Sequence, residues 1–456
     1  MPDKYQNTRR LIWVYFVLLI LEGALRKWVV PSLSTPILII RDPLVLLIYF
    51  SALSDGSLLQ KGGWIYSILA LSILTFFASF LAERAQPLVM LYGVRTNFLH
   101  LPLIFVMAVA LTKNDVQWLG KWVLIISIPM AMLMLAQFRV GANHWLNYGA
   151  GEGSGQIISA MGKVRASGTF SFITGPVLFY SFVAAYLLYG QLERRAYPLW
   201  LVGAATATLL LASVSSGSRT LLGSVLVVVV AFFGGLILHP PSLPKAFRVI
   251  ILGAAAYLAV NLLAIFREAT EVMKTRIELA SSSLPGLEGY IQRISGMFYM
   301  PIFSTPIFGH GLGVGTNAGA ALLGARGQFL LAENEWNRVV LESGFIFGPL
   351  YILLRLAIAL QIAFLSMGRA LRGNLLPILM FGAASVSLII GQFGPPTVLG
   401  FAVFMAGCAL AAANEPFPQR APATHDSMWQ NSPPRRSQPV SQPGRWAVRP
   451  NSNGDA

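Results

Sequence analysis

Apolar residues run almost end to end along this chain, in stretches of about 20 residues separated by short breaks rich in Arg, Lys, Gly and Pro. Runs such as 225–238 and 249–266 are apolar on every face, so the period-two alternation of a transmembrane β-strand is missing. Helices are the spanning element that remains. Stretches able to cross ~30 Å of hydrocarbon fall at 11–30, 36–54, 62–81, 92–111, 118–138, 169–189, 197–214, 219–238, 247–266, 337–365, 375–391 and 395–413. The pattern predicts an all-α, polytopic integral membrane protein of about twelve spans, filling residues 1–413. Arg9 and Arg10 precede the first stretch as in a secretory signal, but Glu22, Arg26 and Lys27 stand where small cleavage-site residues belong. That span reads as a retained signal anchor.

With the N-terminus inside, the short loops put Lys113, Lys121, Arg194, Arg195, Lys245, Arg248, Arg369 and Arg372 on the cytoplasmic side, and an even number of spans brings both termini there. The remaining cations need their own explanation. Six of them, Arg267, Lys274, Arg276, Arg293 and Arg326 in the long outer segment 267–336 and Arg338 just beyond its end, go with that segment, and long segments cross largely regardless of charge. Arg165 and Arg219 stand immediately before apolar runs, on the side where the charge rule disfavours them. Something anionic on the outer face would account for both. Two outer segments, 139–168 and 267–336, are polar enough to build a site, and the second is expected to fold over the membrane before the tenth span. The tail 414–456 carries eight prolines with scattered Ser, Gln and Arg, a composition expected to stay disordered on the cytoplasmic side.

Composition sharpens this picture. The chain is 55% hydrophobic and 11% charged, against about 25% charged in ordinary soluble domains, which excludes a soluble enzyme. A net charge of +15 would raise nucleic acid as a partner, but here the cations flank spans, where they anchor helices among membrane lipids; no nucleic-acid partner is expected. The single cysteine, Cys408, permits neither an intrachain disulfide nor a Cys-based metal site.

Residues 309–315 read Gly-His-Gly-Leu-Gly-Val-Gly, yet a nucleotide fingerprint needs a strand before it and a helix after it, so a turn that lets backbone approach a partner closely is the plainer reading. His310 has no spaced set of further ligands, and no metal site is expected. Glu22 and Arg26, one helical turn apart, can neutralise each other, either as a charge cluster that sets the first two helices or, with Lys27 and Arg41-Asp42-Pro43, as a substrate contact. The richest constellation has three parts: Val164-Arg165-Ala-Ser-Gly-Thr-Phe170, Ser216-Gly-Ser-Arg219-Thr220, and Ala332-Glu333-Asn334-Glu335-Trp336-Asn337-Arg338. All three fall at the outer face. Guanidinium forks suit diphosphate oxygens, and a carboxylate at the water boundary can take a proton from an attacking sugar hydroxyl. The plainer alternatives are arginines that snorkel to phospholipid headgroups and carboxylates solvated ahead of a helix.

These segments resemble the bacterial O-antigen ligase and O-antigen polymerase family over roughly residues 90 to 365. Arg165-Ala-Ser-Gly-Thr-Phe170 is similar to the family's Arg-x-x-Gly-Thr-Phe element, Ser216-Gly-Ser-Arg-Thr220 to its Ser-Arg element, and Pro306-Ile-Phe-Gly-His-Gly-Leu-Gly313 to its Pro-x-x-Gly-x-Gly-x-Gly run. The family's His-Asn is replaced by Glu333-Asn334, followed by Leu341-Glu342-Ser343-Gly344; the histidine is missing, and Glu335 is the nearest substitute if Glu333 does not take its place. The resemblance implies a metal-independent, cofactor-free, inverting glycosyltransferase of the inner membrane. Its donor would be an undecaprenyl-diphosphate-linked glycan and its acceptor another glycan or lipid A core, with polysaccharide assembly proteins as further partners. Arg165, Arg219 and Glu333 would be catalytic, and Arg293, Arg338, Asn334, Glu335 and His310 would bind substrate. A secondary transporter or flippase with about twelve spans is the alternative, although no internal repeat is evident. A noncatalytic assembly partner is the third reading.

Overall fold

In an apolar stretch the backbone has no water to bond, so each segment closes its own helical ladder, and every regular element among the described residues is a helix. The computed structural model describes residues 4–150, 164–240, 251, 295–324, 331–332 and 334–414. The helices are α1 (Gln6–Ala24), α2 (Arg41–Ser54), α3 (Gly62–Ala78), α4 (Pro87–Val94), α5 (Leu103–Ala110), α6 (Lys113–Arg139) and α7 (Thr174–Leu192). They continue with α8 (Leu199–Ser215), α9 (Arg219–Leu238), the short α10 (Asn317–Leu322), α11 (Glu335–Ala370), α12 (Leu376–Ile390) and α13 (Pro396–Ala413). Local chemistry sets several boundaries. Thr112 and Asp115 exchange side-chain and backbone bonds in a capping box that opens α6. Prolines occupy the first turns of α4, α12 and α13, where an N–H would be idle.

Among the described residues, eight helical segments are long and apolar enough to cross a membrane: Pro36–Ser54, Gly62–Leu81, Pro87–Ala110, Lys113–Arg139, Thr174–Leu192, Arg219–Leu238, Glu335–Ala370 and Pro396–Ala413. Leu199–Ser215 and Leu376–Ile390 are apolar but shorter, and α1 carries Arg9, Arg10 and Glu22 on its 19 residues. The predicted span 247–266 apart from residue 251, the middle of 139–168, half of 267–336 including Arg293 and Glu333, and the tail beyond Asn414 lie outside the described residues. Two spans differ from unbroken runs. The predicted 92–111 is α4 and α5 joined by one wide turn at Arg95–Leu99, and α11 contains a break at Gly344 (φ 80°).

α7 and α13 form the centre, each 94% buried, whereas the spans of α3 and α9 are 22% buried and carry outward apolar side chains such as Phe77 and Ile237. Such uncovered apolar surface suits a lipid environment. Small residues let α13 sit close to its neighbours: a Cβ on Gly400 would fall 2.0 Å from Arg41 Nη1, and one on Gly407 2.7 Å from Met107 Sδ. Contacts sort the helix ends into two sets. At one end Thr8 bonds Asp55, Arg9 reaches the Ala110 carbonyl, Tyr197 reaches Gln117 and Asn414 reaches Ala108. At the other, Lys27 meets Ser167 and Gly168, Gln137 meets Gly168, and Trp336 meets Ile389. The second end carries every described residue of the sequence-derived constellation.

Candidate functional site

Arg165 stands on an extended stretch whose far side is held firmly. Gly168 (φ 60°) gives its N–H to Gln137 Oε1 at 2.7 Å, and its carbonyl accepts from Gln137 Nε2 at 3.1 Å and Lys27 Nζ at 2.7 Å. A Cβ at Gly168 would meet Met130 Sδ at 2.5 Å in a left-handed backbone, so glycine is required there. Thr169 Oγ1 then bonds the Ile20 carbonyl, and Phe170 is buried against Phe179 and Phe401 before α7 begins. α1 lies directly on this turn because residue 23 is glycine: a Cβ there would fall 2.5 Å from Ser171 N and Thr169 O.

Arg219 comes from a separate turn. α8 ends at Ser215, Gly217 (φ 54°) reverses the chain, Ser218 N–H bonds Ser216 Oγ at 3.2 Å, and Arg219 opens α9. The first turn of α9 holds no acidic residue, so the partial positive charge of the helix start adds to the guanidinium. The two turns come together: burial, and then the Arg219 charge, pull the Arg165 pKa below the ordinary arginine range, although arginine stays charged at any ordinary pH. Arg165 Nε is buried with no hydrogen-bond partner, and among the described residues neither arginine has a carboxylate within ion-pair distance. Two like charges held this way attract an anion with several oxygens.

The third part of the constellation is organised differently. Glu335, Arg338, Glu342 and Arg355 are all buried along α11. Arg338 donates Nε and Nη2 to the two oxygens of Glu335 at 3.0 Å each, Nη1 to Glu342 Oε2 at 2.7 Å, and Nη2 also to Asn97 Oδ1 at 3.0 Å. Arg355 donates Nη1 to Glu335 Oε1 at 2.6 Å and Nε and Nη2 to the carbonyls of Leu388 and Gly391, and it stacks 3.8 Å from the Phe393 ring centre. Two carboxylates and two guanidiniums make a neutral quartet whose polar atoms are spent on one another, on Asn97 and on nearby backbone. Glu335 and Arg338, expected from sequence to bind substrate, are thus engaged inside the protein.

The glycine run has a partner of its own. The break at Gly344 frees the Leu341 and Glu342 carbonyls, which accept from His310 N at 2.8 Å and Gly311 N at 3.1 Å, while Gly315 N donates to Glu342 Oε1 at 2.9 Å. Cβ atoms at Gly309 and Gly313 would fall 2.4 Å from Glu342 O and 2.3 Å from Val89 O. The close backbone approach expected of this run is therefore made to α11 and α4. The His310 ring lies 3.5 Å from Glu83 Oε2 at the surface, and Asn334, exposed at the start of α11, donates to the Gly296 carbonyl. Among the described residues no group of three His, Cys, Asp or Glu is placed to hold a metal.

A second buried network joins α1, α2 and the turn after α4. Glu22 pairs with Arg41 at 2.8 Å rather than with Arg26; Arg41 also reaches Tyr15 and the Pro396 carbonyl. Tyr15 meets His100 Nδ1, His100 Nε2 meets Asp42, and Asp42 pairs with Arg95. Arg26, released from Glu22, donates to the Ser34 carbonyl and Ser171 Oγ. Sequence reasoning missed Arg355, Glu342, Asn97 and His100 as networked residues, although a charge inside an apolar span is itself a signal. No protein-family model matches the chain, and no characterised protein matches it.

Proposed function

We propose that this membrane protein is an inner-membrane glycosyltransferase that polymerises or ligates undecaprenyl-diphosphate-linked oligosaccharides at the outer face of that membrane. In this reading it has twelve spans, with 247–266 as one of them, and both termini in the cytoplasm. Arg165 and Arg219 hold the donor diphosphate and stabilise it as it leaves; Glu333 orients or deprotonates the acceptor hydroxyl, which belongs to another lipid-linked chain or to lipid A core. The observation that supports this most is the pair of guanidiniums from two distant turns, set close enough to repel, with one buried Nε unpartnered. Positive charge waiting at the site of developing negative charge is the largest common source of catalysis in such transfers.

The test is an envelope glycan profile from a deletion strain complemented with wild type, Arg165→Ala or Arg219→Ala, with membrane abundance checked for each. Loss of long chains with single repeat units still attached to lipid A core indicates a polymerase. Long undecaprenyl-linked chains left unattached indicate a ligase. An unchanged profile with the abundant Arg219→Ala protein refutes the assignment.

A further inference from the structure

The cationic end of the bundle includes a residue that the arginine pair does not explain. Lys27 is buried, one turn beyond the end of α1, and its ammonium donates to Ser167 Oγ at 3.2 Å and the Gly168 carbonyl at 2.7 Å, two and three residues from Arg165. Its Nζ also lies 4.4 Å from the centre of the Trp28 ring. Those contacts are neutral; among the described residues Lys27 has no carboxylate within ion-pair distance, and the nearest acid on its helix, Glu22, is taken by Arg41. A charge buried this way is costly unless a counter-charge arrives. Beside it, Trp28 Nε1 is a second buried donor without a partner, after Arg165 Nε. Cations gathered here without a carboxylate partner among the described residues fit a ligand that carries more than one negative charge.

We propose that Lys27 is a positioning residue of the Arg165–Arg219 site: it fixes the Arg165 turn through Ser167 and Gly168, and its ammonium form, favoured when a multiply charged anion arrives, adds to the positive field there, so that the site prefers a diphosphate to a singly charged phosphodiester. This rests on the diphosphate reading above. Lys27 is too buried to touch the ligand and acts through the turn and through its field, which a low-dielectric setting strengthens. Gln137 clamps Gly168 from the other side through two hydrogen bonds, so the turn is held from both directions.

The experiment measures binding to the full-length protein in detergent, using undecaprenyl diphosphate, inorganic diphosphate and phosphatidylglycerol as probes. Wild type is expected to bind the lipid diphosphate most tightly, with inorganic diphosphate competing and phosphatidylglycerol not. Lys27→Gln should weaken diphosphate binding by roughly 10–100-fold, as loss of a supporting outer contact does at ion sites, and erase the preference over phosphatidylglycerol. Lys27→Arg should keep most of both. If Lys27→Gln does not stay monodisperse, Ser167→Ala, which removes one acceptor of the ammonium and no charge, carries the test and should also weaken diphosphate binding. Unchanged affinity in folded Lys27→Gln, alongside loss in Arg219→Ala, overturns the role of Lys27 and leaves the diphosphate reading standing. Tighter binding of phosphatidylglycerol than of diphosphate by wild type overturns both.

Discussion

Changing Glu335 to Gln separates a structural quartet from a substrate contact. Glu335 Oε1 accepts from Arg338 at 3.0 Å, Arg355 at 2.6 Å and the Phe393 amide at 3.4 Å, and Oε2 accepts from Arg338 Nε at 3.0 Å. The amide keeps the shape but removes one negative charge, so the neutral quartet becomes singly positive, and its NH2 must face a guanidinium that only donates. Breaking a buried ion pair on one side costs about 3–5 kcal/mol, because the charge left behind is uncompensated. A less buried pair offers the contrast: Arg9 and Asp115 are each about one-fifth exposed, and Asp115→Asn, which also weakens the capping box that opens α6, should cost only about 1–2 kcal/mol. Unfolding of the detergent-purified proteins, followed by tryptophan fluorescence against denaturant, reads both changes. Glu335→Gln with wild-type stability but no substrate binding would refute the structural account and return Glu335 to the chemistry.

On the proposed glycosyl-transfer reading, Arg219→Ala and Arg165→Ala should each lower transfer by on the order of 10²–10³, measured with donor and acceptor in vesicles, and Arg219→Lys should restore only part because an ammonium lacks the planar fork. Gly313→Ala places a Cβ 2.3 Å from the Val89 carbonyl at φ 88°, and should destabilise by about 2 kcal/mol or more in the same unfolding assay. Cys408 is buried, which leaves a silent background for cysteine mapping: Asn143→Cys and Arg194→Cys, both exposed at opposite ends, should react with an impermeant maleimide from opposite sides of a sealed vesicle. Labelling of both from one side would contradict the arrangement of α6 and α7.

The all-helical class with span-length apolar helices was legible because apolar runs of that length admit little else, and Arg165 and Arg219 stood out as charges immediately before apolar runs. Other features were not. Glu335 read as a substrate contact or a solvated residue ahead of a helix, since its partner Arg355 lies 20 residues on and Asn97, which bonds Arg338, arrives from another span; only packing brings these groups within 3.0 Å. The glycine run announced close approach but not its target, because the carbonyls it binds exist only where α11 breaks at Gly344. Glu22 and Arg26 had ideal spacing on one helix, yet Arg41 from α2 reaches Glu22 first and frees Arg26 to hold the turn that carries the site.

The central place of α13 has a consequence for how the chain is made. Synthesis delivers α1 to α12 first, and domains assemble as their parts emerge. Until α13 arrives, Tyr15, Phe16, Met107 and Phe182, which pack around it, border a hollow with no occupant of their own. Arg41, whose Nη2 bonds the Pro396 carbonyl at 2.6 Å, waits for the same helix. This late helix therefore acts as a keystone, and a ribosome that stalls before it leaves an unclosed protein, open to the proteases that clear such intermediates.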